Sequence, residues 1–210
     1  MPSGKLILVV GPSGAGKDSL IKGAAVELRG DGQFVFAQRH ITRPHDPKHE
    51  DHIEVSLADF WALADKGAFF LHWQAHGLSY GLHHALLEDV RRGKSVIANA
   101  SRTIIDEARQ LPCKVFVINV TAPDSVLAKR LVGRGRESTN DVWKRLKRRV
   151  ALDSSHIFEI HNDSSLQEGI SAFVGLLRRL TDPKSPNRGY TVSTRASELV
   201  QQRPGPRPYR

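Results

Sequence analysis

Short apolar runs rich in β-branched residues alternate along this chain with segments of helical period. "KLILVV" (5–10) reads as a strand, and a helix follows from about Ala15 to Leu28. "QFVFA" (33–37) is a second strand, "KSVIAN" (94–99) and "KVFVINV" (114–120) are two more, and "IFEI" (157–160) is a short last one. Helical segments follow 94–99 and 114–120, and a helix over about Leu166 to Leu180 follows 157–160. Unbroken apolar strands followed by helices predict an α/β fold, a parallel sheet with helices on both faces.

Two regions interrupt the alternation. Residues 38–93 hold a polar loop, a helix at "LADFWALADKG", a strand-like "AFFLHWQAHG" and another helix, which together read as an insertion beside the core. Residues 134–149, "RGRESTNDVWKRLKRR", are densely basic and contain a glycine near their start. The core therefore comprises 1–37, 94–133 and 150–180 of a single domain ending at about residue 180. From 181 to 210 the chain is rich in Pro, Ser and Arg without a sustained apolar period, and is expected to be a disordered basic tail.

Composition adds little until the charges are placed. With 210 residues, 40% of them hydrophobic, the chain is long enough for one domain with a substantial core. The formal net charge of +9 favours anionic partners without choosing among nucleic acid, membrane surface and small phosphorylated molecules. The one cysteine, Cys113, can form no intrachain disulfide and reads as a small buried hydrophobe. No apolar run approaches the roughly 20 residues of a membrane span, so a cytoplasmic protein without membrane contact is expected. The arginines lack the interleaved aromatics of a base-stacking surface, which argues against nucleic acid as the partner. Oligomeric state is not legible.

The chemistry begins at "GPSGAGKD", Gly11 to Asp18, which fits G-x-x-x-x-G-K with the final hydroxyl replaced by Asp18. Glycines let successive backbone N–H groups turn toward phosphate oxygens, the following helix presents its positive end, and Lys17 can reach the β- and γ-phosphates. The motif lies between a strand and a helix, as such a loop requires. The fold expected is therefore that of a P-loop nucleoside triphosphatase that binds a nucleotide. Gly11, Pro12, Ser13, Gly14, Ala15, Gly16, Lys17, Asp18 and Ser19 form its donor site.

Asp18 is the anomaly. A carboxylate in the first turn of a helix is worth about 0.3–1 kcal/mol against the macrodipole. Two like charges about 4 Å apart repel by roughly 4 kcal/mol at an effective dielectric near 20, so a carboxylate beside a triphosphate needs a cation between them. Magnesium is the natural bridge. P-loop enzymes commonly carry an acidic metal ligand at the end of another strand. Here "VIAN" ends in Asn99, so Asp18 is expected to move that charge onto the loop.

The order of the motifs then resembles the guanylate-kinase-like branch of the nucleoside monophosphate kinases over about residues 4–180. "AQRHITRPHD" (37–46), "EDHIEV" (50–55) and "FLHWQAHGLSYGL" (70–82) follow that family's acceptor-binding stretches in sequence. Arg43 matches an arginine, and Tyr80 with Gly81 a Tyr-Gly pair, that face phosphate in the family. His72 and Leu82 stand where the family reads guanine, with an acidic residue and a hydroxyl respectively. Arg39 stands where it has a serine. The resemblance thus implies an acceptor site that keeps its phosphate ligands and loses its base reader. Within the branch, "GPSGAGKDSL", "RHITR", "HEDH", "AHGLSYG", "NASR" and "GRGRE" are similar to the ribose 1,5-bisphosphate phosphokinases of phosphonate breakdown, which also carry aspartate after the loop lysine.

That likeness implies ATP-dependent phosphoryl transfer to a phosphorylated sugar, giving 5-phosphoribosyl 1-diphosphate, with Mg2+. It further implies a catalytic set of Lys17, Arg130, Arg134 and Arg136, the last two in a lid over 134–149. The acceptor would meet Arg39, Arg43, Glu50, His52, Tyr80 and Arg145, while Asn162 would lie near the adenine. Two other readings stay open: a nucleoside monophosphate kinase of altered base preference, and a kinase-shaped interaction module without catalysis. The histidines at 45, 49 and 52 bracket acidic residues but match no zinc spacing.

Overall fold

The computed structural model describes residues 4–44, 51–132 and 157–182, and the backbone of 191–193. A six-stranded, wholly parallel sheet forms the core, in the order β10-β9-β8-β1-β7-β2. Its strands are β1 (Lys5–Val10), β2 (Phe34–Phe36), β7 (Ser95–Asn99), β8 (Lys114–Thr121), β9 (Ile157–His161) and β10 (Thr191–Ser193). The insertion carries a second sheet, β4-β3-β6-β5, made of β3 (His40–Ile41), β4 (Ile53–Glu54), β5 (Phe69–Ala75) and β6 (Leu78–His83). Helices are α1 (Lys17–Glu27), α2 (Leu57–Asp65), α3 (Ala85–Arg91), α4 (Ile105–Ala108, entered through a 3₁₀ turn at Arg102–Ile104), α5 (Asp124–Val132) and α6 (Leu166–Thr181).

β1 lies between β7 and β8, and its residues from Leu6 to Val10 are all 0% exposed. Successive strand side chains point to opposite faces, so this one strand feeds two cores. Ile7 and Val9 pack with Leu20 and Ala24 of α1 and with Phe173 and Leu177 of α6. Leu6, Leu8 and Val10 pack with Phe70, Trp73 and Tyr80 of the insertion and Leu87 and Val90 of α3. Helix α6 buries a stripe of Ile170, Phe173, Val174, Leu177 and Leu180, the spacing of a one-sided helix. It starts in a capping box: the Ser165 side chain accepts from Glu168 N–H, and the Glu168 carboxylate accepts from Ser165 N–H at 3.0 Å.

Two sequence expectations change here. "AFFLHWQAHG" is half of a hairpin, its partner strand β6 holding the Tyr-Gly pair. Its two-residue turn, His76 and Gly77, has φ of 54° and 74°, the double positive φ that suits the twist of a tight hairpin. The tail is not wholly disordered either. Thr191–Ser193 add a parallel edge strand to β9, in register with Glu159–His161, as a β-branched "TVS" can. The other tail residues beyond Asp182, and the lid at 134–149, lie outside the described residues. Cys113 is half-buried against the second core, and burial raises its thiol pKa.

Gly81 shows how tightly the insertion is packed. A methyl group there would sit 2.7–2.9 Å from the ring of Phe69, which itself stacks on Phe60 at 4.9 Å. Gly81→Ala should cost about 1–3 kcal/mol of stability by overpacking, read by chemical denaturation. Gly81→Ala with Phe69→Leu should recover part of that loss.

Candidate active site

The carboxyl ends of β1 and β7 open, together with the tip of the β5–β6 hairpin, into a cleft of about 610 Å³. Ligands of open α/β sheets bind at such strand ends. The phosphate loop (Gly11, Pro12, Ser13, Gly14, Gly16, Lys17, Asp18) forms one wall, and Arg39, Arg43 and Tyr80 line the cleft from the insertion. Asn99 to Thr103 line it from the end of β7. Lys17, Arg39, Arg43 and Arg102 are its permanent cations and Asp18 its one carboxylate among the described residues. A surface so biased in charge is suited to a polyanion.

The loop is held from below. Lys17 Nζ donates to the carbonyls of Gly11 (2.9 Å) and Pro12 (3.0 Å), lying across the mouth of the loop. Asn162, only 3% exposed, donates from Nδ2 to Ala15 O at 2.7 Å, and its own N–H donates to Thr121 O. Arg130 Nη1 donates to Asn162 O at 3.0 Å and reaches Gly14 O at 3.5 Å. Gly16 has a φ of 91°, and a Cβ there would lie 2.4 Å from Asn162 Nδ2, so only glycine lets the chain pass so close to its support. Ala15, Ser19, Arg130 and Asn162 do not line the cleft: Ala15 is core, Ser19 is exposed, and the other two brace the loop.

The two anomalies of the sequence meet. Asn99 Nδ2 donates to Asp18 Oδ1 at 2.5 Å, joining the end of β7 to the first turn of α1 across 81 positions of sequence. An acidic residue at 99 would face Asp18 as a second negative charge, whereas the amide supplies a donor. The contact fixes one carboxylate oxygen and leaves the other available as a hard oxygen ligand, the chemistry that magnesium accepts. Among the described residues no group of three His, Cys, Asp or Glu could hold a metal.

On the wall built by the insertion, the guanidinium of Arg39 lies over the ring of Tyr80, 5.2 Å from its centroid, and Tyr80 stacks on Trp73 at 5.4 Å and 7°. The stack keeps Arg39 at 8% exposure with its fork at the cleft. Arg43 lines the cleft too, and its carbonyl meets His52 Nε2 at 3.1 Å. His52 is 4% exposed and does not line the cleft, so it steadies the Arg43 loop. His72 is exposed and edge-on to Trp61, while Leu82 is wholly buried. Neither position puts a polar group into the cleft. Glu50, Arg134, Arg136 and Arg145 lie outside the described residues.

Gln74, His76, Ser101, Arg102 and Thr103 line the cleft without having been singled out from sequence. His76 and Gln74 get there because the hairpin brings its tip to the loop. For Arg102 a signal existed, namely its place just beyond the end of a core strand.

The guanylate kinase family model matches residues 3–173. A guanylate kinase from Anaplasma phagocytophilum superposes with a TM-score of 0.61 at 17% identity, over 87% of this chain and 89% of that one, which speaks for the fold. Ribose 1,5-bisphosphate phosphokinase PhnN of Brucella melitensis is 42% identical over 85% of this chain and 94% of its own length. The bifunctional ribose 1,5-bisphosphokinase-thymidine phosphorylase of Azorhizobium caulinodans is 45% identical over 84% of this chain, which spans 26% of that protein's length. A homologous bifunctional protein from Cupriavidus pinatubonensis is 49% identical, and the chain spans 29% of it. With this loop, this cleft and these relatives, the chain belongs to the guanylate kinase family, within its ribose 1,5-bisphosphate phosphokinase branch.

Proposed function

We propose that the protein transfers the γ-phosphoryl group of ATP to the 1-phosphate of ribose 1,5-bisphosphate, forming 5-phosphoribosyl 1-diphosphate and ADP. The observation that carries this reading is the acceptor wall. Two arginines and a tyrosine line it, while the two positions that read guanine in the family give a histidine pointing elsewhere and a buried leucine. A site that reads a base by hydrogen bonds loses up to about 10⁴–10⁵ in discrimination when those partners are absent. Phosphate is what the remaining groups can hold.

The chemistry suits the residues. An oxygen of the 1-phosphate, already ionised, attacks the γ-phosphorus, and the bond from that phosphorus to the β,γ-bridging oxygen breaks. No proton has to be removed from the nucleophile, so catalysis reduces to in-line positioning and neutralisation of charge. Lys17 would hold the β- and γ-phosphates, and the loop N–H groups from Ser13 to Asp18 the donor chain. Asn162 and Arg130 keep that loop in shape. Arg39 and Arg43 would fork onto acceptor phosphate, which suits the planar guanidinium. Arg134, Arg136 and Arg145 would supply further charge over the transferred group. Asp18 would hold magnesium, which when bound screens the charge of the donor chain. A cytoplasmic setting supplies both ATP and magnesium, and no described helix is long and apolar enough to cross a membrane.

The purified chain should turn over ATP with ribose 1,5-bisphosphate and leave a panel of nucleoside monophosphates, GMP included, essentially untouched. Turnover with a monophosphate instead would replace the sugar by a nucleotide, and no turnover with any acceptor would point to an interaction module. Asp18→Ser should raise the magnesium needed for half-maximal rate by about tenfold. Asp18→Ser with Asn99→Asp, which returns the carboxylate to the strand, should bring it back toward the starting value. An unchanged magnesium requirement in Asp18→Ser would remove Asp18 from metal binding.

A further inference from the structure

Arg102 belongs to neither the phosphate loop nor the acceptor insertion, yet it lines the same cleft as Lys17, Asp18 and Asn99. It opens the 3₁₀ turn after β7, behind Ser101, whose hydroxyl oxygen accepts from Thr103 N–H and sets the turn. A guanidinium offers five N–H donors in a rigid plane. Among the described residues Arg102 has one acceptor: Nη2 donates to Asn119 Oδ1 at 3.1 Å. Its Nε is buried and has no partner there.

The contact with Asn119 is the first link of a chain. Asn119, on β8 and 5% exposed, donates in turn from Nδ2 to Glu159 Oε1 on β9 at 3.1 Å. The amide thus has its oxygen toward the arginine and its nitrogen toward the carboxylate, an orientation that the two charges dictate between them. Burial lowers the pKa of Arg102, and the Glu159 carboxylate opposes that effect through space. The chain runs from β7 past β1 to β8 and β9, and it fixes one edge of the guanidinium. A half-buried cation with a buried, unpartnered N–H is costly unless an anion completes its shell. The bond to Asn119 explains where Arg102 is held, but not why a cation should be held there.

We propose that Arg102 is a phosphate ligand of the cleft, held by Asn119 and Glu159 so that its remaining N–H groups meet a phosphoryl oxygen of a bound substrate. The ligand is a phosphoryl group whether it arrives on the donor chain or on the acceptor. Asn119 and Glu159 are positioning residues, since they act through the arginine. The inference rests on the reading that this cleft carries out phosphoryl transfer between ATP and a sugar phosphate, so wild-type turnover is measured alongside every variant.

Steady-state kinetics of Arg102→Gln, with ATP and ribose 1,5-bisphosphate varied in turn, decides the question. A charge-assisted bond to phosphate should be visible as a change of about tenfold or more in one kinetic parameter. A rise confined to the KM of the sugar phosphate assigns Arg102 to the acceptor. A rise confined to the KM of ATP assigns it to the donor chain, and a fall in kcat alone assigns it to the phosphoryl group in transfer. Glu159→Gln should move the same parameter in the same direction by a smaller factor, about two- to fivefold. If Arg102→Gln does not fold, Arg102→Lys, which keeps the charge and loses the fork, is judged by the same parameters. Values of kcat and both KM within threefold of wild type, with or without a lowered melting temperature, overturn the proposal and make the chain a structural tie. A wild type inactive with these substrates would instead overturn the underlying reading.

Discussion

The described fold is arranged around a strand whose residues from Leu6 to Val10 water does not reach. β1 is covered on both faces and flanked on both edges, and it delivers the chain into the phosphate loop at its carboxyl end. A strand in that position has little freedom of register, because a shift by one residue would exchange the side chains of two separately packed cores. The loop inherits that fixity. Its carbonyls are then held by Lys17 and Asn162, and Arg130 reaches Gly14 O while bonding the carbonyl of Asn162, so three different parts of the chain brace it. Preorganisation of this kind matters most where the chemistry consists of positioning.

The second constraint is charge. Among the described residues of the cleft, four permanent cations surround one carboxylate and repel one another, and burial makes such repulsion harder for solvent to screen. Two devices moderate it. The Arg39–Tyr80–Trp73 stack spreads one cation over an aromatic face, and Glu159 acts on Arg102 from behind through a neutral amide. Asp18 is the exception in sign, and its amide partner at position 99 makes its place tolerable.

What was legible in the sequence was what is local. The strand, loop and helix around Gly11 to Lys17 are specified by residues that touch one another, and the alternation of apolar runs gave the parallel sheet for the same reason. Asp18 and Asn99 each looked odd alone. That they are partners is a property of the sheet, which sets β7 beside β1. Only the first strand of the hairpin has a legible apolar run, since Tyr80 and Gly81 stand out as a motif rather than as a strand, although His76-Gly77 sits where a tight turn needs positive φ. His52, Arg130 and Asn162 have the residue types of ligands and also bond backbone carbonyls, a second role that depends on where a side chain points. The strand at 191–193 was hidden by its surroundings: composition describes a whole tail, while an edge strand needs only three residues and a neighbour.

The division of the apolar interior by the sheet carries a consequence for how such a protein can change. The donor loop leans on the core beneath α1 and α6, and the acceptor wall leans on the core shared by the hairpin, α3 and α4. The two sets of side chains lie on opposite faces of the sheet. Substitutions that reshape the wall built by the insertion are therefore absorbed on one side, away from the packing beneath the phosphate loop. A lineage can try new ligands on one wall while the other stays in working order, and His72 and Leu82 at the two base-reading positions are the mark such a trial would leave.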